Sequence, residues 1–288
     1  MKKVSIPGLR LFIIIGLALL VFIMIYEGVT GAKTPAAEVS ETELQTDAVT
    51  VPETTPTMPV FRTDRDRAEY YIKMFADEHG IHYTSYPEVV VELLTKNPET
   101  EEFVKDYPLE YGKTYPVDMK EYKDVQGVPL FFQWDKRWGY TVYGGDVVGI
   151  TGGGPICLSM AAYYLTGDDA MSPDNIIRFA IENEYYILGG GSSWALIGEG
   201  AEQLGLESTE LPLSASAVTE QLQNGGLVIC AMEAGVFTDT GHYILITGQQ
   251  NGQFTIHDPN SRENSEKLWD FSEFSAEIEN LWVIRKAQ

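Results

Sequence analysis

Two alternating runs, His242–Thr247 and Gln253–Asp258, flank the dipeptide Asn251-Gly252. Asn-Gly tolerates the left-handed backbone that a tight hairpin turn demands, so the segment is predicted to be a two-stranded antiparallel hairpin. Residues opposed across a hairpin have numbers with a constant sum. A turn centred near Gln250 makes that sum about 500, which is also the sum for His242 and Asp258. The two side chains are therefore expected to face each other, with Cβ atoms about 4.5–5.5 Å apart. A slip of one residue would send them to opposite faces.

Face composition supports that register. His242, Ile244 and Ile246 share a face with Phe254, Ile256 and Asp258, which reads as the core side. Tyr243, Leu245 and Thr247 share the other with Gln253, Thr255 and His257, and His257 is expected to be exposed. A carboxylate beside an imidazole orients the ring and stabilises its charged form, the base and orienter of a nucleophilic triad. A purely structural His–Asp pair has the same spacing and stays open at this point.

Upstream of the hairpin the pattern is helical. Gly154-Pro155 opens a helix to about Leu165, Ser172-Pro173 opens one to about Glu184, and Ser193–Leu204 and Ala215–Gln223 are two more. Leu227–Met232 reads as a buried strand and Leu281–Arg285 as a final one. Helices first and antiparallel strands last make an α+β domain.

A nucleophile placed just before a helix gains from the helix dipole and from free backbone N–H groups. Gly152-Gly153-Gly154-Pro155 has the backbone for such a position and no side chain to attack with. Cys157 is the alternative nucleophile. It shares the spacing of Met160, Ala161, Tyr164 and Leu165, a stripe that faces a core and predicts an inert thiol. Cys157 and Cys230 are the only cysteines, and their apolar surroundings predict two buried free thiols. Gly189–Ser192 leads into Trp194, read either as a mobile cleft loop with an aromatic contact or, in preference, as a helix entry that packs the indole inside.

Residues 1–27 form a basic stub, with Lys2, Lys3 and Arg10, followed by the 16-residue apolar run Leu11–Tyr26. That run reads as an uncleaved signal anchor, single-pass, with the N-terminus inside and the rest outside the cell, and a cleaved signal peptide is the alternative. Residues 28–61, rich in Thr, Pro and Glu, read as a spacer, and 62–120 as a small helical prelude that serves as a packing appendage. Within the prelude, Tyr70, Tyr71, Met74 and Phe75 mark the apolar spacing of its first helix. The peptidase-type domain is assigned to 121–288.

The formal net charge is −22, and beyond residue 27 the balance is 17 basic to 41 acidic residues. Nucleic acid is a poor partner for such a surface, and cationic peptides or polymers are better ones. His79 and His82 stand apart from other ligands, so no metal site and no cofactor are expected.

Gln133–Gly139, Tyr143-Gly144, Gly152–Met160, Gly241–Ile244 and Asp258–Ser261 together resemble the family-39-type papain-like cysteine peptidases, across roughly Val128–Ile284. They are more narrowly similar to membrane-anchored extracellular members from Gram-positive bacteria. The resemblance implies a papain-like fold with His242 as base, Asp258 as its orienting carboxylate and Gln133 as oxyanion donor. It also puts Gly153 where the family's nucleophilic cysteine stands and Cys157 at a second cysteine four residues later. The implied function is a peptide- or cell-envelope-binding pseudopeptidase. The alternative is an active hydrolase working through Cys157, or through a water activated by His242.

Overall fold

The computed structural model describes residues 59–287. The expected anchor and most of the spacer lie outside the described residues. Among the described residues no helix is long and apolar enough to cross a membrane.

Three helices come first: α1 Asp64–His79, α2 Glu88–Lys96 and α3 Glu101–Glu110. Thr63 caps α1 by accepting from the Asp66 N–H at 3.0 Å, and Gly80 closes it at φ 67°. The buried face of α1 is Ala68, Ile72 and Ala76, while Met74 is half exposed. The apolar face expected through Tyr70 and Met74 is thus displaced, because the small residues allow α2 and α3 to come close. Val90, Val91 and Leu94 of α2 and Phe103, Val104 and Tyr107 of α3 complete this core, which also takes in Tyr140 and Val147. The Phe103 ring stacks on Tyr140 with centroids 4.5 Å apart and presses on Gly149. A Cβ at Gly149 would stand 2.8 Å from Phe103 Cε1, so only glycine allows that approach.

The second half is α4 Gly153–Thr166, α5 Pro173–Glu182, β1 Leu206–Glu210, α6 Ala215–Gln223, β2 Leu227–Met232, β3 His242–Gln250, β4 Gln253–His257, β5 Leu268–Trp269 and β6 Ile278–Lys286. The strands form one antiparallel sheet in the order β1-β6-β2-β3-β4-β5. The fold is α+β, as expected. β1 and β5 escape the sequence pattern, since one is mostly polar and the other only two residues long.

α4 is buried along Gly153–Tyr163, so it is a central helix rather than one with a single apolar stripe; Tyr164 is half exposed. It covers the sheet face of Ile229, Ala231, Tyr243, Leu245, Trp282 and Ile284. The opposite face, with Val228, Cys230, Ile244, Ile246 and Ile256, is closed by Val218 of α6 and by the aromatic residues Phe254, Trp269 and Phe274. Both faces are therefore buried. This corrects the expectation for His257, which shares the α4 side with Leu245, its partner across the ladder. It is only partly exposed, and burial pushes its imidazole down to about 4 against the opposing hydrogen bond to the Pro129 carbonyl.

Candidate active site

The hairpin turn is the expected Asn251-Gly252 pair, both at positive φ, 55° and 89°. The register differs from the expected sum of 500. Near the turn the pairs are Gln250 with Gln253 and Gln249 with Phe254; beyond a bulge at Thr247 they become Ile246 with Ile256 and Leu245 with His257. The bulge restores parity: without it, His242 and Asp258 would lie on opposite faces. His242 therefore meets Asp258 diagonally along one face instead of directly across it. At Asp258 the chain leaves the sheet in a turn bridged to Ser261.

His242 Nε2 lies 2.8 Å from Asp258 Oδ1. The same oxygen accepts from the Asn260 N–H at 2.8 Å, and Oδ2 accepts from Asn264 Nδ2 at 2.8 Å. Donors surround the fully buried carboxylate, so the ring nitrogen facing it carries the proton in the neutral imidazole. That leaves Nδ1 free, and Nδ1 faces Gly153.

The three glycines before Pro155 differ sharply in what surrounds them. A Cβ at Gly152 would collide with the Val148 side chain, and one at Gly154 would stand 2.6 Å from Ser192 Cβ. A Cβ at Gly153 would have His242 Nδ1 at 3.3 Å and Gln133 Oε1 at 3.4 Å as its nearest neighbours, apart from its own local backbone. Gly153 alone of the three has room for a side chain, and that side chain would point at the imidazole. α4 begins at this residue, so its first backbone amides carry the positive end of the helix dipole.

Gln133 reaches the site with its amide reversed from the expected role. It is buried, and Nε2 donates to the Gly149 carbonyl at 3.0 Å with the Ile150 carbonyl at 3.4 Å. Both N–H bonds are directed at backbone oxygens, so Oε1, which has no partner among the described residues, is what faces Gly153. A flipped amide would set oxygen against the Gly149 oxygen.

Cys157 lies one helical turn inside α4, fully buried, and burial pushes its thiol well above the ordinary range. It has no access to the cleft, which corrects the alternative that makes it a nucleophile. Both cysteines are free and buried, as expected.

A cleft opens on both sides of His242. One arm, about 690 Å³, is lined by Gly153, Gly189–Ser192, Trp194 and Glu279 among others. Trp194 is half exposed in that arm, 5.8 Å from the Trp282 ring centroid, rather than packed inside. The other arm, about 720 Å³, runs between α2, with Val89, Leu93 and Lys96, and the segment 235–241. The prelude is therefore part of the cleft wall, beyond the packing appendage expected. Asn97 donates to the Asn260 carbonyl, which also accepts from Trp134 Nε1 at 3.0 Å. The Glu99 carboxylate accepts from the Arg262 N–H at 3.1 Å. These ties hold the turn that carries Asp258.

The family model for Peptidase_C39-like proteins matches residues 125–288. Two solved structures are similar to part of the chain. One is the peptidase domain of Streptococcus ComA, a bifunctional ABC transporter of a quorum-sensing pathway, at 20% identity and TM-score 0.38, covering 55% of this chain and 98% of that one. The other is a C39-like peptidase from Bacillus anthracis, at 16% identity and TM-score 0.36, covering 56% and 96%. No curated protein matches.

Proposed function

This chain belongs to the Peptidase_C39-like family, and from that premise we propose that it is a pseudopeptidase, binding peptide or cell-envelope polymer in its cleft without acyl transfer. The observation that carries the reading is the space at Gly153. Of the three glycines at the helix start it is the one with room for a side chain beside His242 Nδ1, and it holds no nucleophile. The neighbouring thiol is buried, and the Gln133 amide offers its oxygen where an oxyanion would need a donor. We place the protein outside the cell, tethered through the apolar run Leu11–Tyr26.

The test is Gly153→Cys. The new Cβ needs shifts of a few tenths of an ångström from two side-chain tips, His242 and Gln133. The new thiol would sit at a helix start beside an imidazole, conditions that favour thiolate. Iodoacetamide is expected to label position 153 in the folded variant, while wild-type protein stays unlabelled and turns over no peptide. Peptide hydrolysis by wild type that survives Cys157→Ala and disappears in His242→Ala would overturn the reading in favour of a water-based hydrolase. That second reading is favoured by one feature, the free Nδ1 of His242, which could take a proton from water.

A further inference from the structure

The arm of the cleft between α2 and the segment 235–241 has aliphatic side chains on both walls. α2 turns Val90, Val91 and Leu94 into the prelude core. That leaves Val89, Leu93 and Lys96, at i, i+4 and i+7, as one stripe lining the arm. The facing wall is fixed from behind. Phe237 is buried against the rings of Trp269 and Phe274, with centroids 4.6 and 6.1 Å away. Glu277 Oε2 accepts from the Val236 N–H at 2.9 Å, and a Cβ at Gly235 would collide with that carboxylate. Val236 and Val89 both line the arm and are 51% and 38% exposed. Lys96 Nζ, 2.7 Å from Asp239 Oδ2, ties the two walls to each other.

We propose that this arm is a subsite for an aliphatic side chain of a bound peptide, and that the residue beside that side chain is basic. The inference rests on the reading that the cleft binds peptide, and it names the class of peptide. Val89, Leu93 and Val236 border about 720 Å³ of open space and lose water when an apolar group enters it. α2 lies outside the residues matched by the family model, so this wall comes from the chain's own prelude. Charge selects the flanking residue. Glu92, Glu99, Asp239 and Glu263 line the arm against the single Lys96. Lys96 is shared by Glu92 and Asp239 at 2.7 Å each, and Glu99 lies 3.8 Å from Arg262 Nε. Glu263 has no ion-pair partner among the described residues and is open to a cation. The chain's own spacer is a poor occupant, because residues 28–58 carry one lysine against five acidic residues.

The probes are Ac-Ala-Lys-Leu-Lys-Ala-NH2, Ac-Ala-Lys-Ser-Lys-Ala-NH2 and Ac-Ala-Glu-Leu-Glu-Ala-NH2, titrated calorimetrically into the full chain at 0.15 M and 0.5 M NaCl. Lysine on both sides of the leucine makes the first probe indifferent to chain direction in the arm. It is expected to bind at least tenfold tighter than the serine peptide at both salt concentrations. It is also expected to bind at least tenfold tighter than the glutamate peptide at 0.15 M, with that gap narrowing at 0.5 M. Val236→Ser is expected to reduce the leucine–serine gap to about threefold or less. Leu93→Ser, on the opposite wall, is expected to do the same, and Val236→Ser decides alone if that variant does not fold. Trp194→Ala, in the other arm, is expected to keep the leucine–serine ratio within about twofold, whatever it does to the affinities themselves.

Equal binding of the leucine and serine peptides would overturn the aliphatic subsite and leave peptide binding standing. Equal or tighter binding of the glutamate peptide at 0.15 M would overturn the basic flank. A leucine preference that survives Val236→Ser, or that disappears in Trp194→Ala, would take the side chain out of this arm and overturn the assignment. No binding by any of the three peptides would defeat both the subsite and the peptide-binding reading.

Discussion

Stability should fall between pH 7 and pH 5 through His257. Its imidazole is pushed down to about 4 by burial, against an ordinary value of 6.5. The unfolded chain thus binds a proton that the folded chain refuses, and stability drops as pH falls from about 6.5 towards 4. At pH 5 the unfolded ring is almost fully protonated and the folded ring about one-tenth so. The difference from pH 7 amounts to at most about 2 kcal/mol, an upper bound because the ring keeps some exposure. Other groups titrate across the same range, so the assay compares two proteins. Urea denaturation of wild type and His257→Gln at pH 7, 6 and 5 is expected to show the extra loss in wild type alone. Glutamine keeps a similar volume and a polar end without titrating. If the two proteins lost stability in parallel, the imidazole would not be held neutral by burial, and the reasoning would fail.

Two further outcomes follow from packing. Gly154→Ala should destabilise the fold by about 1–3 kcal/mol, because the new methyl would crowd Ser192, whose hydroxyl bonds the Tyr143 hydroxyl at 2.9 Å. Helix propensity alone predicts the opposite, a gain of up to about 1 kcal/mol, so a raised melting temperature would refute the close approach of α4 to Ser192. In wild-type protein, Cys157 and Cys230 should resist a thiol reagent until global unfolding exposes them. Rapid native-state labelling of either one would contradict the burial of that side chain.

Much of the fold can be read from local pattern. Asn251-Gly252 specifies its hairpin because both residues accept positive φ, and Leu227–Met232 reads as a buried strand because every position is apolar. The central helix announces itself through Gly154-Pro155 and ends at Gly167. Elements with weak local signal are missed: β1 is polar and paired only along its β6 edge, and β5 is two residues long.

The site divides in the same way. The sequence alone determined that Gly153 stands at a helix start without a side chain and that Cys157 is buried. Each of these follows from spacing along one element. Tertiary structure decided the rest, because long-range packing sets it. A bulge at Thr247 keeps His242 and Asp258 on one face despite a register other than the simple sum. Packing on the second face of the sheet leaves His257 only partly exposed and pushes its imidazole down, on a face whose residues looked polar. The Gly149 and Ile150 carbonyls take the Gln133 N–H bonds, so the amide presents its oxygen, rather than the expected donor, towards Gly153. Spacing can bring a side chain to a site, but the orientation of its amide depends on carbonyls supplied by packing from elsewhere in the chain.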